Sequence, residues 1–154
     1  MQVGRGVVRR EGTDVALLAY GTVTNDALAA ADMLARSGVS ATVVDMRFCK
    51  PLDGPLIRRL AREHPVLITI EEGAIGGFGS HVAQFLLLEG LLDGGLKLRP
   101  MTLPDRFIEH GSQGDQMAEA GLTPAHIAAT ALTTLGRRQD SVAALEGTWA
   151  ASKG

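Results

Sequence analysis

Glu71 and Glu72, followed by Gly73, Gly76, Gly77, Gly79, Ser80 and His81, form the densest group of chemically useful residues in the 154-residue chain. Carboxylates beside a histidine supply the parts of an acid–base relay, and a glycine-rich turn opening a helix supplies backbone N–H groups for an anion. The same residues have a plainer reading, in which the glycines let two backbones approach in a packing turn at an interface. Two carboxylates repel an anion. The order Gly76-Gly77-Phe78-Gly79 is neither a Gly-Lys-Ser/Thr phosphate loop nor the dinucleotide fingerprint. The packing turn is the stronger reading, and His81 is the one histidine placed for acid–base work.

A second group, Asp45, Arg47 and Lys50, surrounds a turn braced by Pro51. It either holds an ion-pair network at a domain or subunit interface or binds a phosphorylated substrate. Asp45 already offers Arg47 a partner, and a buried unpaired arginine is expensive, which favours the interface. Cys49 reads as a lone small buried thiol, although the adjacent Lys50 is a cation of the kind that lowers a thiol pKa. His64 sits at a helix end, where a cation meets the dipole favourably. No two of His64, His81, His110 and His126 have metal-ligand spacing on one helix face, and no Gly-x-Ser-x-Gly elbow is present. No residue is assigned as catalytic, cofactor-binding or metal-binding; the interface or loop candidates are Asp45, Arg47, Lys50, Glu71, Glu72, Gly76, Gly77, Gly79, Ser80 and His81.

Hydrophobic patterning predicts the elements that position these residues. Val66–Ile70 is a short apolar, β-branched run suited to a buried strand, and Ser80 caps a helix to about Leu92 with Val82, Phe85 and Leu86 on one face. Upstream, Gly4–Arg10 reads as an edge strand hairpinned through Glu11-Gly12 to the strand Asp14–Tyr20. Thr24 or Asn25 caps a helix to about Ser37 with Ala27, Leu28, Ala31, Leu34 and Ala35 inward, and Gly38 ends it. Ser40–Met46 is the next strand, and Asp53 caps a helix through Leu56, Ile57, Leu60 and Ala61.

Downstream, Leu96–Leu103 is a strand whose Pro100 argues for an edge position or a bulge. Gly111–Asp115 is a loop, Gln116–Ala120 a short helix, and Thr123 caps a final helix with Ile127, Ala128, Ala131, Leu132 and Leu135 inward. The alternation implies a three-layer α/β/α domain over residues 1–136, with a mostly parallel sheet of about five strands and one antiparallel edge strand. Residues 137–154 are expected to be a disordered tail, or one loosely docked through Trp149, with at most a weak helix around Ser141–Leu145.

A formal net charge of −2 gives no reason to propose nucleic acid or an acidic membrane surface as a partner. One cysteine excludes a disulfide framework and suits a reducing compartment. No apolar run reaches the ~18 residues of a membrane span, so a soluble, cytoplasmic protein is expected.

Four segments carry a family resemblance: Asp45–Asp53 (DMRFCKPLD), Ile70–Ser80 (IEEGAIGGFGS), Leu103–Gly111 (LPDRFIEHG) and Ala118–Leu122 (AEAGL). Together with Val3–Gly12 and Ala19–Thr22, they make the chain resemble the C-terminal domain of the 1-deoxy-D-xylulose-5-phosphate synthases from about Val3 to Leu135. The first two segments are shared more loosely with transketolases and 2-oxoacid dehydrogenase β-subunits. The resemblance implies part of a thiamine-diphosphate enzyme that condenses pyruvate with glyceraldehyde 3-phosphate and releases CO2. In that family the cofactor and its Mg2+ are held by two other domains, so the chain alone is expected to be inactive and to bind neither. Its expected partners are the remaining domains of the enzyme and a second subunit in a homodimer. Two other classes remain: a free-standing module binding a partner subunit or small anion at Gly73–Ser80, and an independent enzyme using His81 with Glu72.

Overall fold

The computed structural model describes residues 3–72, 77–102 and 123–146. Within them, strands β1 (Val7–Arg10), β2 (Val15–Tyr20), β3 (Ala41–Asp45), β4 (Val66–Glu71) and β5 (Lys97–Met101) form one sheet in the order β1-β3-β2-β4-β5. Only β1 runs antiparallel, along β3; the other pairs are parallel. Helices α1 (Thr24–Arg36), α4 (Pro124–Thr134) and α5 (Arg138–Glu146) share one side of the core, and α2 (Gly54–Glu63) and α3 (Phe78–Leu88) the other. Among the described residues the expected α/β/α sandwich is present, with five strands and five helices.

The central strand shows why the layers separate. Successive side chains of β2 point to opposite faces, so Val15, Leu17 and Ala19 pack toward α1 and α4 while Ala16 and Leu18 pack toward α2 and α3. All five are fully buried. Pro100 lies in β5, the strand at the sheet's far edge, where a missing N–H leaves no ladder bond unmade on the open side.

The first strand departs from the sequence expectation. β1 does not hairpin onto β2; it crosses to β3, with an irregularity between Val8 and Arg10. The Glu11-Gly12 turn is held there by polar contacts. Gly12 N–H donates to Thr42 Oγ1 at 2.9 Å, Thr42 Oγ1 donates to Gly12 O at 2.8 Å, and buried His64 places Nε2 2.8 Å from Thr42 Oγ1 and 3.1 Å from Gly12 O. His64 Nδ1–H donates to Leu60 O at 2.9 Å, so this histidine ties the end of α2 to the turn. Asp53 does similar work at the other end of α2: Oδ1 accepts from Leu56 N–H at 3.1 Å, as a cap, and Oδ2 accepts from Gly6 N–H at 2.9 Å.

Helix ends also differ in detail. α1 is capped by neither Thr24 nor Asn25: the cap position is Val23, no side chain bonds there, and Thr24 lies buried in the first turn while Ala35 is exposed. α3 stops at Leu88 rather than Leu92 because Gly90, at φ +71°, lets Gly90 N–H and Leu91 N–H turn back onto Leu87 O and Leu86 O. Thr123 does cap α4, accepting from His126 N–H at 3.3 Å, and Ile127, Ala128, Ala131 and Leu132 are buried as expected.

The stretch after Gly136 is not loose as far as it is described. Arg138–Glu146 is helix α5, packed on α4 through small residues: Ala144 is buried, and buried Ser141 Oγ donates to Ala129 O at 3.0 Å and lies 2.7 Å from Thr133 Oγ1. Arg137 adds a bond to Ser37 O at 2.7 Å. Small and polar contacts leave no wide apolar stripe to read. The expectations for Gly111–Asp115, Gln116–Ala120, His110 and Trp149 lie outside the described residues. Among those described, no helix is long and apolar enough to cross a membrane.

A Cβ added at Gly12 would lie 2.4 Å from the Ala41 carbonyl carbon, a backbone atom that cannot swing aside. Gly12→Ala is therefore expected to destabilise the fold by about 1–3 kcal/mol, as overpacking does. Urea unfolding reads this directly; an unchanged midpoint would mean the turn does not press on β3.

Candidate functional site

Among the described residues, the two groups singled out around Asp45 and Glu71 gather at the carboxyl edge of the sheet, where Tyr20 pairs with Glu71 and Asp45 lies beside Ala19. β2 feeds α1 on one face and its neighbour β4 feeds α3 on the other, which makes this edge a topological switch point, the usual ligand position in open α/β sheets.

Glu71 decides what this edge can hold. The expected strand ends at Ile70, but β4 includes Glu71, whose side chain is 1% exposed. Its Oε1 accepts from Phe78 N–H at 2.8 Å and its Oε2 from Gly79 N–H, the first backbone donors of α3. These are the groups an external anion would use. The cradle suggested by the glycine-rich turn is thus filled by the protein's own carboxylate, and Ser80, expected as the cap, is an exposed residue inside the helix, with Gly77 at the cap position.

Gly79 is needed for this fit. A Cβ there would stand 2.9 Å from Thr69 Oγ1 and 3.0 Å from Glu71 Oε2. Helix and strand meet backbone to side chain, and Thr69 Oγ1, beneath Gly79, is buried with no hydrogen-bond partner. Phe78, fully buried, stacks on Tyr20 with ring centroids 5.2 Å apart at 16°, which ties α3 to the end of β2. His81, half-buried in the first turn of α3, donates its backbone N–H to Gly77 O at 3.2 Å. Both oxygens of Glu71 are engaged by backbone N–H groups of α3. Gly73 and Gly76 lie outside the described residues.

The second group closes the neighbouring strand. Arg47 adopts φ +60°, rare for a residue with a side chain. Asp45 Oδ1 accepts its backbone N–H at 3.2 Å, and Asp45 Oδ2 lies 3.8 Å from its Nε. With Tyr20, Gly21 and Phe48, the pair lines a cavity of about 410 Å3. Lys50 is exposed. Burial pushes the Cys49 thiol above its ordinary pKa and Glu71 adds to this, with Lys50 opposing more weakly, so Cys49 stays a thiol rather than a reactive thiolate.

Sequence reasoning missed Tyr20, Phe78 and Asp26. The first two were legible only as apolar residues at element ends; their stacking requires the register that sets β2 beside β4. Asp26, in the first turn of α1, has its carboxyl pKa raised by burial and then by the charge of Glu72. Among the described residues, no group of His, Cys, Asp and Glu is placed to hold a metal ion.

Two outcomes test this geometry. Glu71→Gln keeps one acceptor oxygen but turns an NH2 toward a backbone donor, and is expected to cost about 1–3 kcal/mol in unfolding free energy; an unchanged midpoint would show that the carboxylate does not hold α3. In an NMR titration, Asp26 should take its proton at higher pH than a free aspartate, and Glu72→Gln should lower that midpoint. Because the folded-state value is raised, ionised Asp26 weighs against the fold at neutral pH, and acidification relieves the cost.

Comparison with known proteins agrees with this architecture. The family model described as "Transketolase, C-terminal domain" matches residues 4–127. The rice (Oryza sativa subsp. japonica) "1-deoxy-D-xylulose-5-phosphate synthase 1, chloroplastic" is 61% identical over 143 residues, 93% of this chain and 20% of that protein. The Capsicum annuum "Probable 1-deoxy-D-xylulose-5-phosphate synthase, chloroplastic" is 58% identical over 142 residues, 92% of this chain and 20% of that protein. The chain thus spans about a fifth of the length of these curated relatives. Among solved structures, one titled "Split gene transketolase, inactive beta4 tetramer" superposes with a TM-score of 0.78 at 35% identity, over 90% of this chain and 43% of that one. A Campylobacter jejuni transketolase, at 18% identity and a TM-score of 0.61 over 84% of this chain and 18% of that one, shares the fold. The chain belongs to the transketolase C-terminal domain family.

Proposed function

We propose that this chain is the C-terminal domain of a 1-deoxy-D-xylulose-5-phosphate synthase, a thiamine-diphosphate transferase joining pyruvate to glyceraldehyde 3-phosphate with loss of CO2. Its role there is structural: it supports the homodimer and packs near the active site, without supplying catalytic groups. The observation that carries the reading is the 58–61% identity to curated relatives of that name across nine-tenths of this chain.

The site supports the structural role. Thiamine diphosphate and Mg2+ need an anion cradle and oxygen ligands, and the described residues do not fit them: Glu71 fills the N-terminus of α3, and no metal-binding group of side chains is assembled. The cofactor and its ion belong to the other domains of the enzyme, and the chain alone is inactive. The same filled cradle weighs against a free-standing anion-binding module. In the assembled enzyme, Asp45, Arg47, Lys50, Glu72, Gly77 and His81 form interface elements of the carboxyl edge. The compartment is aqueous: cytoplasm, or a plastid interior where the protein is of the kind its plant relatives' names describe.

The size of the native gene product tests this. Mass spectrometry of source cells, or an immunoblot against this domain, is expected to find it on a polypeptide several times larger than 16.2 kDa. A product of 16.2 kDa would overturn the proposal.

A further inference from the structure

A cavity of about 250 Å3 lies between α4, α5 and Arg99 of β5. The hydroxyl groups that line it are spent on the protein itself. Thr130 donates to His126 O at 2.9 Å, Thr134 to Thr130 O at 2.7 Å and Ser141 to Ala129 O at 3.0 Å, which leaves Thr133 as the donor in its 2.7 Å contact with Ser141 Oγ. These four hydroxyls therefore offer the cavity lone pairs and no proton, so an anion finds no hydroxyl to bind. Ala129 and Leu145 give the wall an apolar part, and Leu145 stands 50% exposed at the end of α5. A flat apolar group with one N–H to give suits such a lining.

We propose that this cavity seats the indole of Trp149, the single tryptophan of the chain. Position and chemistry both select it. Ser141 and Leu145 stand four residues apart in one row of α5 and both line the cavity, and the next position of that row is 149. A chain that leaves the helix at Glu146 by another path stays close as well, because three residues span at most about 11 Å. The indole donates one N–H and needs an acceptor, which the hydroxyl oxygens supply. Its ring covers the exposed flank of Leu145, and its electron-rich face takes a cation such as Arg99, an exposed residue whose Nη1 bonds only as far as the neighbouring Leu98 O, at 2.9 Å. Cavity and occupant both belong to this chain, so the inference stands apart from the proposed function.

The test is hydroxyl-radical footprinting of the full-length protein, read residue by residue by mass spectrometry. Trp149 is expected to be oxidised several-fold more slowly than in a free peptide of residues 144–154, and Thr130→Phe, which puts a ring into the cavity, is expected to restore the fast rate. A photo-activatable benzoylphenylalanine at position 149, in a mixture of isotopically light and heavy chains, gives a second reading that does not depend on that variant. Its expected crosslinks run within one chain to Arg99, to residues 126–134 or to Leu145. Trp149 as reactive as in the free peptide would overturn the inference, as would protection that Thr130→Phe does not lift in a protein that still folds. Crosslinks to residues 103–122, to sequence outside these 154 residues or between light and heavy chains would overturn it too, and if Thr130→Phe does not fold the crosslinks decide alone.

Discussion

The carboxylate of Glu71, buried at the end of β4 and seated on the first N–H groups of α3, is the constraint on which the carboxyl edge depends. A buried carboxylate is costly to desolvate, by several kcal/mol, and is tolerated where charge-assisted hydrogen bonds of about 1.5–3 kcal/mol each and a helix dipole compensate it. The two N–H donors supply both. They also fix where α3 begins, since the helix must start at the height that brings Phe78 N and Gly79 N to the two oxygens. From that follow the absence of a side chain at Gly79, the stacking of Phe78 on Tyr20, and the descent of Val82 and Leu86 into the core beside Leu67.

A second set of polar ties holds β1 at its two ends. His64, Thr42 and Gly12 join α2, β3 and the turn after β1 in one hydrogen-bonded knot, and Asp53 joins the other end of α2 to the chain entering β1. An edge strand as short as β1 has few ladder bonds of its own. Side chains that bond to its flanking backbone make up for that, and explain how a weakly patterned stretch keeps a defined place beside β3.

Much of this architecture was legible in the sequence because it rests on patterns of long range. The parallel strands read as continuous apolar runs, the helices as stripes, and Pro100 as an edge, and each reading depends on periodicity that several residues carry together. What was illegible depends on single contacts. β1 was expected beside β2 because Glu11-Gly12 has the composition of a hairpin turn; nothing in composition reveals that His64, 52 positions away, holds that turn against β3. α5 was undervalued because Ser141 and Ala144 dock it through closeness rather than apolar bulk. At the site, sequence placed Glu71 beside a helix N-terminus but assigned the cap to Ser80, because Ser is a common cap and a carboxylate from the preceding strand is not a local signal.

The filled cradle changes how the fold bears on function. Open α/β sheets offer a ligand crevice at the point where adjacent strands feed opposite faces, and many enzymes place a phosphate on the helix N-terminus there. Here Glu71 is a covalently tethered ligand for that N-terminus, so a free anion would have to displace a carboxylate that cannot diffuse away and would leave it buried and unpaired. The cost of that uncompensated charge, about 3–5 kcal/mol for breaking a buried pair, outweighs what a weak anion site returns. A domain arranged this way spends its best anion-binding geometry on fixing its own helix. Among the described residues, the Asp45–Arg47 pair with Tyr20 and Phe48 lines an open cavity at that edge, and under the proposed reading it meets a neighbouring surface, with one charge pair for register and aromatic faces for contact.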